Sequence, residues 1–393
     1  MIKCYQPMNE SPIYLDYNST TPCDPAVVEE MMPYFTTKFG NASSKTHVYG
    51  WTADEAVEEA REKVAQLIGA KKTELIFTSG ATESINLALR GLYESSSQKG
   101  RHVITYSTEH KAVLDTCRFL ETLGAEMTIL PVDNLGNPDL ELLESAIRKD
   151  TIFIAAMYAN NETGTVMPIK SMASIARKNG VLFFCDATQA IGKIPVDVVQ
   201  DGIDMMAFSA HKMYGPKGVG ALYIAKKDPK IKISPMQYGG GHERNLRSGT
   251  LNVPGIVGFG KACELAELTM EKESFRLTRL RDMLLDGISS VENIVLNGSK
   301  SNIMGHVANL SFGFPGGEGM IKILTKNMAV SSGSACSSAS IEPSHVLQAM
   351  GLNDTQALSS IRFSLGRFTT EDEIVKAIKC INEECRKMKN GEK

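Results

Sequence analysis

The sequence predicts an α/β protein whose central sheet is mainly parallel and covered by helices. Two observations carry that prediction: short apolar strands alternate with amphipathic helices from residue 74 to residue 225, and polar clusters recur where those strands end. Strand and helix in strict turn require crossover connections, and ligands of such sheets gather at the carboxyl ends of the strands. At 393 residues the chain also exceeds what one hydrophobic core usually organises, so more than one domain is expected.

The alternation starts with the strand "ELIFTSG", the helix "TESINLALRGLYESS" and the strand "HVITYST". It continues with "AVLDTCRFLETLG" as helix, "EMTILPV" as strand, "LELLESAIRK" as helix and "TIFIAAMYA" as strand. "IKSMASIARKNG" is then a helix and "VLFFCDAT" a strand, followed by the apolar stretches "MMAFSA" and "GALYIA". Upstream, Ala53, Ala56, Val57, Ala60, Val64, Leu67 and Ile68 share one face of a helix that ends at Gly69. Downstream, residues 258 to 290 read as a long charged helix, with shorter strands and helices after it. A boundary near residue 262 divides a large domain, 19–262, from a smaller α+β domain made of 1–18 and 263–393.

With 42% hydrophobic and 22% charged residues and a net charge of −3, the composition is that of an ordinary globular protein, with no basic surplus for nucleic acid. The opening "MIKCYQPMNESPIYLDYN" has no apolar core of a leader, and no apolar run is long enough to span a bilayer, so a cytoplasmic address without membrane contact is expected. The eight cysteines (4, 23, 117, 185, 263, 336, 380 and 385) form no CxxC pair and no zinc spacing. In a reducing compartment most should be thiols.

Five clusters carry chemistry. In "FSAHKMYGPKGVG", Ser209, His211 and Lys212 end an apolar strand; a desolvated lysine at a sheet mouth can form a Schiff base, although a solvated strand-end lysine has the same sequence. "FFCDATQA" ends its strand in Asp186 with Gln189 three residues on, and a carboxylate there serves a helix N-cap, a metal or a buried cation. Lys212 and Asp186 in one sheet suggest pyridoxal phosphate, which needs an amine at its aldehyde and a carboxylate at its ring nitrogen. "FTSGATES" places Gly80, Ala81 and Thr82 at a strand-to-helix turn, a cradle for a dianion or a plain capped turn. His110 of "STEHKAVLD" can stack on a ring, move protons or simply cap a helix, while Asn160 and Asn161 of "ANNETGTV" can touch a ligand or form an Asx-turn. Their coincidence at strand ends argues for one site.

Taken together, "SGATES", "TEHKAV", "NNETG", "DATQA", "SAHKMYGPKG", "RSGT", "SGSACSSAS" and "IRFSLGRFT" closely resemble the pyridoxal-phosphate-dependent cysteine desulfurases, a branch of the class V aminotransferases. The resemblance runs from "LDYNSTTP" to "RFTTEDEI", and the "SGSAC" loop is similar to the branch serving iron-sulfur cluster assembly and nitrogenase maturation. It implies fold type I of the pyridoxal-phosphate enzymes, with the cofactor in the large domain and the catalytic cysteine loop, about 331–342, in the small one. It implies Lys212 as the Schiff-base lysine, Asp186 at the ring nitrogen, Gln189 at the ring hydroxyl and His110 stacked on the ring, handling protons. Ala81, Thr82, Ser209 and His211 would hold the phosphate, and Thr250 of "RSGT" would reach the phosphate of a neighbouring subunit, hence a homodimer. Asn161 and Arg362 would hold the substrate carboxylate, and Asn161 would also approach the cofactor.

Cys336 sits among small residues with Gly333 nearby, a tether that lets one thiol attack sulfur beside the cofactor and then present it elsewhere. The implied reaction takes sulfur from L-cysteine, releases L-alanine and passes a Cys336 persulfide to sulfur-acceptor and iron-sulfur scaffold proteins, with tRNA thiolation as a further outlet. No resident metal is expected, a transient iron-sulfur contact at Cys336 apart. The rival readings are an aminotransferase or selenocysteine lyase on the same scaffold, which would give Cys336 no role in the first case, and a non-catalytic sulfur carrier. Tyr17 and Ser19 in "LDYNSTTP", and the missing proline in "FGNASSKTH", depart from the family's usual pattern and bear on fine specificity.

Overall fold

The computed structural model describes residues 12–96, 98, 100–332 and 342–389. Cys336, Gly333 and most of the loop expected to carry them lie outside the described residues. Contacts divide the chain into two units, Thr20–Asn161 with Thr165–Glu273, and Met1–Ser19 with Glu162–Gly164 and Ser274–Lys393.

The larger unit is built on a seven-stranded sheet: β1 (Leu75–Thr78), β2 (His102–Tyr106), β3 (Glu126–Leu130), β4 (Thr151–Met157), β5 (Leu182–Asp186), β6 (Met205–Ser209) and β7 (Gly220–Ile224). The spatial order is β1-β7-β6-β5-β4-β2-β3. Pairs from β3 to β6 are parallel, while β7 runs antiparallel to both β6 and β1. The predicted, mainly parallel sheet is therefore present. Both faces are covered, because alternate residues of each strand enter different cores. Phe183 and Cys185 pack with α1 (Val48–Leu67), α5 (Ile169–Lys178) and the start of α6 (Val253–Ile288), whereas Phe184 packs with α2 (Ala81–Ser96) and α3 (Lys111–Thr122).

Two helix ends differ from the sequence reading for local reasons. α1 begins five residues before Ala53, because His47 Nδ1 accepts the Gly50 N–H at 3.2 Å and caps the helix there. α4 (Leu140–Ala146) stops before "IRK", where Thr151 Oγ1 takes the Arg148 N–H at 2.8 Å and turns the chain into β4. α6 starts where Asn252 Oδ1 accepts the Gly255 N–H at 3.1 Å, and it runs unbroken past residue 262. The division between units falls inside this helix, between Glu273 and Ser274, so no change of composition marks it.

The smaller unit has a four-stranded antiparallel sheet of β8 (Ile294–Leu296), β9 (Val307–Phe312), β10 (Ser331–Ser332) and β11 (Ser360–Ser364), in the order β10-β11-β9-β8. Leu277, Leu280 and Leu284 of α6 join Phe312, Phe363 and Ile381 of α7 (Glu371–Lys389) in its core. Among the described residues no helix is long and apolar enough to cross a membrane, and no group of three His, Cys, Asp or Glu side chains could hold a metal.

Candidate active site

A cavity of about 400 Å³ opens in the larger unit at the carboxyl ends of the parallel strands. Its wall includes nine of the residues singled out in the sequence: Ala81, Thr82, His110, Asn161, Asp186, Gln189, Ser209, His211 and Lys212. Thr250 is exposed and is not part of that wall. Arg362 belongs to the smaller unit, where it is buried and its Nη2 donates to Asp16 Oδ1 at 2.6 Å.

At one end of the cavity β1 passes through Ser79 and Gly80 into α2, a helix of 16 residues whose first N–H groups have no partner within the helix. Gly80 has φ of +157°. Gly220, paired in register with both Thr78 and Ser209, brings β7 so close that a Cβ on it would stand 2.6 Å from Gly80 Cα. The cradle thus needs bare backbone on both sides. His211 and Ser209 line the same cavity. The His211 imidazole is pushed down to about 4, by burial first and then by the charges of Lys212, Lys217 and Lys193. A field of three lysines around a neutral imidazole suits a bound dianion.

His211 therefore makes the protein without ligand sensitive to acid. The fold favours the neutral ring, so the stabilisation is complete above the ordinary histidine value near 6.5 and is lost as pH falls through about 4. Protein freed of ligand should show a melting temperature that declines from pH 6.5 toward 4, and His211→Asn should flatten that decline; equal slopes would contradict the assignment.

Across the cavity Asp186 ends β5, 6% exposed, and its Oδ1 accepts the Thr188 N–H at 3.0 Å and the Thr188 hydroxyl at 2.5 Å. Gln189 is buried, and Lys193 Nζ donates to its Oε1 at 2.9 Å, which turns the amide nitrogen away from Lys193. His110 is the N-cap of α3, its Nδ1 accepting the Ala112 N–H at 3.0 Å. A neutral His110 thus carries its proton on Nε2, and it can donate from that atom. Lys212 closes the short turn Ala210–Lys212 that follows β6.

Several groups of the site were not anticipated. Glu109 is fully buried beside His110, and its Oε1 accepts the N–H of Met157, the register partner of Asp186, at 2.7 Å. Burial pushes the Glu109 carboxyl well above the usual range, the Met157 bond opposes this and the Asp186 charge adds to it. Nothing in the sequence distinguished it from an exposed loop acid. Lys193 was legible only as a fourth-residue neighbour of Gln189, and Thr188 only as a hydroxyl two residues after Asp186.

The donor set, a lysine amine, a buried carboxylate and a glycine-backed cradle in a positive field, fits pyridoxal 5′-phosphate. The fold and this constellation define a pyridoxal-phosphate enzyme of the class V aminotransferase type, and the chain belongs to that family: the aminotransferase class-V pattern matches residues 13–376. Among its relatives, cysteine desulfurase IscS of Anaeromyxobacter dehalogenans (strain 2CP-C) is 53% identical over 379 residues, 96% of this chain and 93% of the relative. A solved NifS-like protein superposes with a TM-score of 0.88 at 37% identity, covering 95% of this chain and 99% of the other. A second solved structure, SspA in complex with cysteine, has a TM-score of 0.82 at 36% identity over 91% of this chain and 100% of the other.

Proposed function

We propose that this chain is a cysteine desulfurase, which takes sulfur from L-cysteine, releases L-alanine and delivers the sulfur from Cys336 to acceptor proteins of iron-sulfur cluster assembly. The observation that carries this reading is one cavity joining Lys212, Asp186 and the Gly80–Thr82 cradle, in a chain 53% identical to a cysteine desulfurase. When bound, the cofactor supplies an aldehyde for amine exchange and a ring that takes up electrons.

Asp186 would hold the ring nitrogen of the cofactor, and Thr188 binds one of its oxygens through both its N–H and its hydroxyl, so that the side chain cannot swing. Burial raises the Glu109 carboxyl, which disfavours a second charge near Asp186. Lys193 holds Oε1 of Gln189, the residue that would meet an oxygen on the ring. Lys212 would provide the amine that carries the cofactor and a base for the substrate Cα proton. His110 donates from Nε2; to accept a proton there it must first pass its own on. Arg362 is suited to a substrate carboxylate: within its own unit the Asp16 bond through Nη2 fixes the plane of a guanidinium that has five N–H donors.

Sulfur transfer is assigned to Cys336. Its thiolate attacks the substrate sulfur, the S–S bond forms as the C–S bond breaks, and the C–S electron pair stays on carbon, which is protonated on the way to alanine. Five of the other thiols suit this poorly: burial raises Cys23, Cys117, Cys185, Cys263 and Cys380, so each resists forming a thiolate.

The larger unit serves as the cofactor domain and the smaller one carries the cysteine loop. A homodimer is supported by the exposed Phe35, Phe39, Val48, Tyr49 and Trp51 in one short stretch of the larger unit and by the exposed Thr250, placed to reach a neighbour's phosphate.

The test is a visible spectrum of the pure protein before and after borohydride, followed by alanine and sulfide release from L-cysteine. A yellow protein that bleaches on reduction and makes alanine and sulfide in equal amounts is expected. A colourless protein that stays so with added pyridoxal phosphate, or a yellow one that transaminates without releasing sulfide, would end this reading.

A further inference from the structure

Arg61 and Glu243 form an ion pair inside the larger unit that the reaction above does not use. Arg61 Nη1 and Nη2 donate to Glu243 Oε2 and Oε1 at 2.8 and 2.7 Å, and the two side chains are only 5% and 2% exposed. A pair this deep is not a stabiliser by default, since apolar side chains of similar size often serve as well; what it adds is fixed geometry.

That geometry finishes an open sheet edge. β1 is the edge strand and pairs only with β7, so its outer N–H and C=O groups need other partners. Glu243 Oε2 accepts the Phe77 N–H at 2.7 Å, and Leu75 O accepts from Arg61 Nη1 at 3.2 Å and from Arg244 Nη1 at 2.5 Å. The Arg61 guanidinium lies 4.5 Å from the centre of the Phe77 ring. Side chains thus stand in for a missing strand, two residues before β1 passes into Ser79 and the cradle.

The same pair holds a strained segment. Glu243, Arg244 and Asn245 have φ of 45°, 59° and 65°, three successive left-handed residues, none of them glycine. Such backbone persists only where its surroundings over-determine it. Two residues later Arg247 Nε donates to Glu83 Oε1 at 2.8 Å, and Glu83 Oε2 accepts the Ser79 N–H at 2.7 Å. Against burial, which pushes the Glu83 carboxyl up, Arg247 and Ser79 hold it below its ordinary range. The segment therefore meets β1 at Glu243 and the cavity wall at Glu83.

We propose that Arg61 and Glu243 are positioning residues for the anion cradle: they complete the edge of β1 and fix the segment 242–250, so that Ser79–Thr82 keep the geometry that retains the cofactor's phosphate. This rests on the cofactor reading above, and the experiment separates the two. The double variant Arg61→Met/Glu243→Gln keeps an acceptor for the Phe77 N–H and leaves no buried charge. Protein stripped of cofactor is titrated by absorbance with pyridoxal phosphate and with pyridoxal, which lacks the phosphate, and its melting temperature is measured. The double variant should melt within a few degrees of wild type, bind pyridoxal phosphate at least tenfold more weakly and bind pyridoxal unchanged. Arg247→Gln, which leaves the ion pair intact, should lose pyridoxal phosphate affinity in the same selective way and decides the matter if the double variant does not fold. A folded double variant with wild-type pyridoxal phosphate affinity, or with equal loss of both ligands, or an Arg247→Gln protein that binds both as wild type, overturns the proposal. Wild-type protein that takes up no pyridoxal phosphate would sink the cofactor reading and this proposal with it.

Discussion

Lys212→Ala is expected to lower alanine release from L-cysteine by about 10⁴-fold or more, because in the proposed reaction one nitrogen both carries the cofactor and moves a proton. The scaffold should survive the change. The turn that presents Lys212 is held by backbone bonds, Ala210 N–H to Val219 O at 3.2 Å and Met213 N–H to Ala210 O at 3.0 Å, while Thr21 binds His211 O through both its N–H and its hydroxyl. The cradle is also independent of the amine, so the variant should still bind pyridoxal phosphate weakly through Ala81, Thr82 and Ser209. Borohydride should fix the cofactor to a peptide containing Lys212 in wild type and to no peptide in the variant. Wild-type turnover in Lys212→Ala would remove the central assignment.

Cys336→Ser should separate binding from sulfur transfer. The variant should keep the yellow colour and show the spectral change that cysteine causes, yet form no persulfide, with alanine release down on the order of 10⁴-fold. A serine hydroxyl is far less acidic than a thiol and cannot carry the sulfur onward. Five other thiols cannot stand in, since burial raises each of them. Persulfide formed at the wild-type rate in this variant would show that another residue is the nucleophile.

Much of the fold was legible because its elements are long and periodic. Ala53, Val57, Ala60 and Val64 announce one buried helix face, and all four lie in the core that α1 shares with the sheet. The reversed direction of β7 was not legible, because "GALYIA" has the same apolar pattern whichever way it runs, and direction depends on its two neighbours. The division between units inside α6 was hidden for a similar reason: one continuous helix serves both units, with no linker to mark the passage.

The site divides along the same line. Nine residues named from the sequence come together in one cavity because parallel strands with crossover helices send all their carboxyl ends to one side, so a polar group after each strand necessarily collects with the others. Glu109, Lys193, Arg61 and Glu243 escaped, since their roles depend on partners 48, 4, 182 and 166 residues away rather than on a strand end. The sequence by itself thus determined the layered architecture, the side of the sheet where chemistry gathers and the residue types brought there. Only the tertiary structure decided their electrical setting: that burial and three lysines push the His211 imidazole down, that burial pushes the Glu109 carboxyl up beside Asp186, and that Arg61 finds its counter-charge. Protonation and pairing are set by burial and by distances of a few ångströms, and those distances exist only once the chain has folded.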